Sequence, residues 1–286
     1  MESYSHLERQ CKTVEDREIL QKSILGGEAK SLPYLLAEMN LLLHGMEYPN
    51  IRLGNSLDVP LREIGDKERV DIILTNPPFG GEEEAGIKNN FPADMQTSET
   101  ALLFLQLIMR KLRRPGLGID GGRAAVVVPN GTLFGDGVCE RIKEQLLKEF
   151  NLHTIVRLPV GVFAPYTGIP TNLLFFDRSG PTKNVWYYEQ PLPDGRNNYT
   201  KTQPMQFEEL NECIKWWNNR IENDHAWKVP VEEILVSNCN LDRKNPKAKD
   251  DLEHLAPEIL IVNLLKKQKR IEELMADIQL ALRQKP

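Results

Sequence analysis

Residues 70–81 read VDIILTNPPFGG, and this stretch decides the fold. Val70 to Leu74 form a short, β-rich apolar run, which predicts a buried strand. Pro77 and Pro78 forbid further sheet pairing, and Gly80 and Gly81 let the backbone turn. Asn76, Pro77, Pro78 and Phe79 therefore make a stiff loop at the end of a strand. In open α/β sheets, ligands bind at the carboxyl ends of strands.

Outward from this loop, helices and strands alternate. Residues 31–44 predict a helix capped by Ser31 and stopped by Gly45; 97–112 predict another, capped at Thr97 or Ser98; 137–150 are amphipathic and helical. Strands are expected at 50–54, 70–75, 122–129, 152–159, 171–177 and 185–189, those at 70–75 and 122–129 buried. The alternation predicts an α/β sheet, largely parallel, with a mixed far edge. Beyond about residue 190 a mixed segment carries Trp216, Trp217 and Trp227, and 240–254 reads as a charged loop. The chain closes on a helix over about 257–283, with Leu260, Leu264, Ile271, Met275, Ile278 and Leu282 forming a narrow apolar seam. Three regions result: 1–190, a mixed extension at 191–254, and a helical tail at 255–286 for packing or partner docking.

Composition bounds the function. The chain has 286 residues, 41% apolar and 27% charged, as in globular proteins with a sizeable core. A net charge of −5 argues against a chain that clamps nucleic acid with its whole surface, though not against a local basic face. No stretch approaches the roughly 18–20 apolar residues of a membrane span, and residues 1–6 lack the pattern of a signal peptide. Cys11, Cys139, Cys213 and Cys239 lie far apart with no CxxC pair, so neither a zinc site nor a disulfide framework is indicated, and reduced thiols in a cytoplasm are expected. GLGIDG (116–121) fits the G-x-G-x-x-G spacing, but follows a helix and precedes a strand, the wrong order for phosphate binding; it reads as a surface turn. No GxxxxGK[ST] loop occurs.

The chemistry of the diproline loop is specific. An exocyclic amine on a nucleobase is a poor nucleophile, because its lone pair is delocalised into the ring. Two acceptors holding both amine hydrogens favour a pyramidal nitrogen, with its lone pair free to attack a methyl donor. The Asn76 side-chain oxygen and the carbonyl of the following proline supply such acceptors, already fixed in place. Phe79 offers a face for stacking, and a base treated this way must first leave its duplex.

ILTNPPFGG (73–81) resembles motif IV of the DNA adenine amino-methyltransferases. NLLLHG (40–45), GNSL (54–57), GGRAAVVVPNGTLF (121–134) and LHTIVRLPVGVFAPYTGIPTNLLFF (152–176) resemble blocks of the methylation subunit of type I restriction-modification systems. The resemblance runs from about residue 10 to 250 and implies a Rossmann-like sheet that uses S-adenosylmethionine to methylate adenine N6 in double-stranded DNA. It implies partners too, a specificity subunit and a restriction subunit. Carried over, it gives Glu28, in GGE, the cofactor ribose, and Asn55, in GNSL, the cofactor adenine, whose amine the asparagine oxygen can accept. It gives Asn76, Pro77, Pro78 and Phe79 the target adenine; PYTGIPTN (165–172) resembles the loop after the substrate pocket. No metal is implied.

The family's glycine-rich first motif, after its first strand, has no counterpart between Met1 and Ser23; SYSHLERQCKTVEDREILQKS (3–23) resembles the helix after it, with that helix's tail. The first strand would lie mid-sheet, so its absence is expected to leave two strands with unpaired edges. The helical N-terminal domain of such subunits has no counterpart either. Region 1–190 is thus a partial methyltransferase domain, expected to bind cofactor weakly when alone. Three readings stand at this point: part of a DNA adenine methyltransferase, a non-catalytic partner-binding scaffold, or a methyltransferase acting on protein or RNA.

Overall fold

The N-terminal stretch that reads as one helix with its tail is divided. Helix α1 (Glu2–Glu8) is followed by α2 (Val14–Ser23). Thr13 Oγ1 accepts the Asp16 N–H, and the Asp16 carboxylate accepts from Lys12 and Thr13 N–H. This reciprocal cap starts a new helix where the old one could have run on. The structure, a computed structural model, describes residues 1–247 apart from 82, 84, 118 and 119, together with 261, 264–269 and 271–275.

Next come β1 (Leu25–Glu28), α3 (Ser31–Leu43) and β2 (Asn50–Leu53). Strands β1 and β2 pair in parallel, from Leu25 opposite Asn50 to Glu28 opposite Leu53. Ser31 is the first helical residue of α3, not its cap; Lys30 holds that position without a side-chain bond. Leu41 joins a small core with Tyr4, Leu20 and Met46. On the opposite side of α3, Leu32, Leu35, Leu36, Met39 and Leu43 recur at helical spacing and are exposed.

The remaining elements are β3 (Ile72–Thr75), α4 (Ala85–Lys88), α5 (Thr100–Lys111), β4 (Arg123–Pro129), α6 (Gly131–Phe134), α7 (Val138–Glu149) and β5 (Asn151–Arg157). They continue with β6 (Thr171–Asp177), β7 (Asn184–Glu189), α8 (Asn211–Asn218), β8 (Ala226–Pro230) and α9 (Val231–Val236). Strands β3 to β8 form one sheet in the order β3-β4-β6-β5-β7-β8. β3, β4, β5 and β7 run one way; β6 and β8 run the other. The reversal therefore lies inside the sheet as well as at its far edge. The tryptophan-rich extension contributes β8 to this same sheet, through pairing with β7.

Strand β3 departs from the sequence reading. Ile72 is 49% and Leu74 61% exposed, so one face of the apolar run is not covered. Ile73, on the other face, packs on the large core, whereas among the described residues no apolar cluster takes in Ile72 or Leu74. β3 pairs with β4 alone, and β1 with β2 alone, so among the described residues each leaves an edge without a partner strand.

Helix α5 holds the centre. It is apolar nearly all round, as a helix buried on more than one side must be. Leu102, Leu105 and Ile108 enter the large core under the sheet, whereas Leu103 and Leu107 pack with Leu57, Ile64 and Phe91. Glu99, not Thr97 or Ser98, holds its cap position; Thr97 Oγ1 accepts the Glu99 N–H instead. At the other end, Arg69 donates to the carbonyls of Arg110 and Leu112, and Arg178 to that of Met109. Cations there suit the negative end of a helix. In α7, the buried Lys143 ammonium donates to the carbonyls of Leu133 and Gly135, closing the end of α6. The segment read as a charged loop begins in the core. Leu241 is buried, its N–H donates to Leu133 O, and its carbonyl accepts from Tyr187.

His153 on β5 is enclosed by Thr154, Asp177, Trp217 and Arg220. Burial, then the Arg220 charge, pushes its imidazole down to about 4, against the opposing pull of Asp177. The unfolded chain binds this proton more readily. Stability from neutral His153 is therefore full above about pH 6.5, the ordinary imidazole value, and is lost as pH falls toward 4. His153→Gln should flatten the urea-denaturation stability curve over that interval; an unchanged acid slope would assign the loss to other groups.

The chain comprises two compact units, Met1–Asn245 and Pro246–Pro286. In the second, 261, 264–269 and 271–275 are helical, and Leu264, Ile271 and Met275 are exposed. Leu260, Ile278 and Leu282 of the expected seam lie outside the described residues, as do Gly118 and Ile119 of the GLGIDG stretch. Among the described residues no helix is long and apolar enough to cross a membrane, and no cluster of ligating side chains could hold a metal ion. All four cysteines are free thiols.

Candidate functional site

The carboxyl ends of β1, β2 and β3 open onto one cavity of about 710 Å³. Its size is that of a site for a cofactor-sized ligand. Glu28, Asn55 and Asn76 to Phe79 all line it, so the structure brings every site residue expected from sequence to one place.

Each is positioned by a simple device. Glu28 ends β1; its backbone carbonyl accepts the Gly54 N–H at 2.9 Å, and its Oε1 accepts the Lys30 N–H at 2.9 Å. One carboxylate oxygen is thus held at the start of α3, and among the described residues the other has no partner. Gly27 lets this turn meet the loop after β2: a Cβ there would lie 2.7 Å from Ser56 Oγ. Asn76 follows β3 directly. Pro77 is buried and anchors the loop, while the Asn76 side chain is exposed and, among the described residues, makes no hydrogen bond. Phe79 meets Phe163 edge-on, with ring centroids 5.3 Å apart at 74°.

Asn55 is the exception to the expected geometry. Its Oδ1 accepts the Leu57 N–H at 3.0 Å, and its Nδ2 donates to Glu83 Oε2 at 3.2 Å. The oxygen that would accept from an adenine amine is turned to the chain's own backbone.

The far wall is aromatic. Phe104 reaches the cavity from α5, and Phe163 and Tyr166 from the loop between β5 and β6, with Tyr166 93% exposed. That loop is fixed where it rejoins the sheet. Asn130 N–H donates to Pro170 O at 2.9 Å, and the buried Asn172 donates to Asn130 Oδ1 at 3.1 Å. Sequence reasoning gave no individual role to Phe104, Phe163, Tyr166 or Glu83. The signal available was aromatic density in the blocks around them, which core packing explains equally well.

Glu28 is the only charged side chain among the described lining residues, so the cavity suits a neutral or cationic ligand with hydroxyls. Among the described residues, an unpartnered carboxylate oxygen at one strand end and an unpartnered Asn76 side chain on a rigid loop at another can each take a hydrogen bond from a ligand.

A sheet of this kind with an asparagine–diproline–phenylalanine loop at a strand's end defines a class, the N-6 DNA methylases. The family model of that description, N-6 DNA Methylase, matches residues 1–254, and the chain belongs to this family. It is 54% identical over 271 residues to the methylase subunit of type I restriction enzyme EcoEI from Escherichia coli, covering 92% of this chain and 54% of that one. A solved structure described as a modification subunit of a candidate type I restriction enzyme from Vibrio vulnificus YJ016 matches with a TM-score of 0.84 at 68% identity, over 88% of this chain and 54% of that one. The M protein of EcoKI matches with a TM-score of 0.67 at 26% identity, over 93% and 62%. The chain thus spans about half the length of these relatives.

Proposed function

We propose that this chain carries the cofactor and target-base pocket of a DNA adenine-N6 methyltransferase, in the modification subunit of a type I restriction-modification system. The convergence of Glu28, Asn55 and the Asn76–Phe79 loop on one cavity carries the reading. S-adenosylmethionine, when bound, supplies an electrophilic methyl group. The free oxygen of Glu28 would hold the ribose hydroxyls, and Asn55 would face the cofactor adenine. Asn76 Oδ1 and the Pro77 carbonyl would accept the two hydrogens of the target amine and keep its lone pair directed at the methyl carbon. Because the prolines fix these acceptors beforehand, no reorganisation is needed as charge develops on nitrogen. Phe79 would stack on the extruded base, with Phe163 bracing its edge.

The partners on this reading are double-stranded DNA, a specificity subunit that reads the site, and a restriction subunit, all in the cytoplasm. The test is transfer of tritiated methyl groups to DNA, RNA and protein with the specificity subunit present. Label in adenine N6 of cognate duplex supports the reading; label in RNA or protein overturns it. The edges of β1 and β3 that have no partner strand among the described residues favour a second reading, a scaffold that binds a partner without catalysis. Cofactor titration separates the two.

Phe79→Ala should weaken binding of duplexes with an extruded or mismatched target adenine by roughly 1–3 kcal/mol, the usual worth of base–aromatic stacking. Phe79→Trp should retain most of it. Equal affinities for the two variants in a fluorescence titration would remove stacking from the account.

A further inference from the structure

Adenine presents two kinds of group along the edge that carries its amine: the amine donates, and the adjacent ring nitrogen accepts. Reading that edge takes an acceptor beside a donor. Asn55 could provide both if its amide were free, but it is not. The Leu57 N–H fixes Oδ1, at 3.0 Å, and the nitrogen end is left toward the loop after β3. Reversing the amide would set a donor against the Leu57 N–H and an acceptor against the Glu83 carboxylate, so the orientation is determined from both sides.

The missing acceptor stands next to it. Glu83 Oε2 lies 3.2 Å from Asn55 Nδ2. Glu83 Oε1 lies 3.4 Å from the hydroxyl of Thr100, the first residue of α5, and that hydroxyl also contacts Gly81 O at 3.0 Å. Thr100 is buried, so the carboxylate rests against a fixed point at the positive end of a helix. Asn55 nitrogen and Glu83 oxygen thus form a donor–acceptor pair, and the Asn55 half of it lines the cavity.

We infer that Glu83 determines base specificity in the cofactor pocket. Its carboxylate accepts from the amine of the cofactor's adenine while the Asn55 amide donates to the neighbouring ring nitrogen. The inference rests on the proposed S-adenosylmethionine site and adds a residue to it. A 6-oxopurine inverts both groups, placing an oxygen against the carboxylate and a ring N–H against the amide, and is rejected.

The test titrates the 286-residue chain with adenosine and with inosine at up to millimolar concentration, following the Asn55 side-chain amide by NMR. Wild type should prefer adenosine by about tenfold or more, the scale expected when a part-buried donor and acceptor are each set against their like. Glu83→Gln, whose amide can turn to donate to a 6-oxo group, should bring the ratio near one. Thr100→Val releases the other carboxylate oxygen but keeps the reading pair, and should leave the preference intact. A preference unchanged in Glu83→Gln overturns the inference. So does equal loss in Thr100→Val, which would make Glu83 a loop staple. Should Glu83→Gln fail to fold, Glu83→Asp, a shorter acceptor, takes its place: it should lower adenosine affinity yet keep the preference, and loss of the preference overturns the inference. No adenosine-dependent shift at Asn55 in the wild type overturns the cofactor reading itself, and this inference with it.

Discussion

Asn76→Ala should lower methyl transfer to adenine by about a hundred- to a thousandfold, roughly 3 kcal/mol, by analogy with the loss of one preorganised hydrogen-bond partner at a reacting centre. The side chain is exposed to the cavity and makes no hydrogen bond among the described residues, so the substitution removes an acceptor without disturbing the fold. Cofactor affinity should stay nearly unchanged, because Glu28 and Asn55 lie on other strand ends. Such a mutant loses kcat with little change in binding, the signature of an interaction made in the transition state. Asn76→Asp keeps an oxygen acceptor and should fall between the two. The measurement is single-turnover methyl incorporation into cognate duplex, with the specificity subunit present. Near-normal turnover in Asn76→Ala would remove this residue from the mechanism.

Gly161→Ala should destabilise the protein by about 3 kcal/mol or more, in the range reserved for a backbone clash at a special conformation. Gly161 has φ +86°, and a Cβ there would meet the Tyr199 carbonyl oxygen at 2.2 Å. The neighbour is backbone and cannot swing aside. Tyr199 N–H donates to Val160 O, and the Tyr199 hydroxyl is bonded to Glu209, so the clash acts on a tethered segment. The same loop carries Phe163 against Phe79, so residual folded protein should also bind an extruded base poorly. Gly168→Ala, on the same loop with nothing within 4 Å of its Cβ, is the control. Urea denaturation of both variants decides; a Gly161→Ala midpoint matching that of Gly168→Ala would show that the segment at Tyr199 yields.

The loop at the heart of the site was legible because its signals are adjacent. A strand, an amide, two prolines and a ring follow one another, and each constrains the backbone on its own. Glu28 and Asn55 were legible only through their surrounding blocks, since a glutamate after two glycines carries little meaning alone. What escaped was whatever depends on distant pairing. The apolar run at β3 promised two covered faces, but coverage depends on what packs over each, and among the described residues only the Ile73 face meets the core. The reversed β6 lies between β4 and β5 because of long-range register, which no local pattern encodes. Ser31 and Thr97 are good caps by residue type, yet the turns before them placed Lys30 and Glu99 in those positions. Glu83 reaches Asn55 only because the loop after β3 folds back onto the start of α5. Phe163 reaches Phe79 only through the β5–β6 connection.

The division of the sheet also sets the order in which the molecule comes apart. A two-stranded sheet is marginal by itself, and β1 and β2 rest on a small core while the apolar stripe of α3 faces water. Strands β4, β6 and β5 are paired on both sides and sit over the large core. Amide protons in residues 25–53 should therefore exchange faster, through local opening, than those in the middle of the larger sheet, which should wait for global unfolding. The residue assigned to the ribose sits on the fast side of that divide, and the loop assigned to the target base is tied to the slow side.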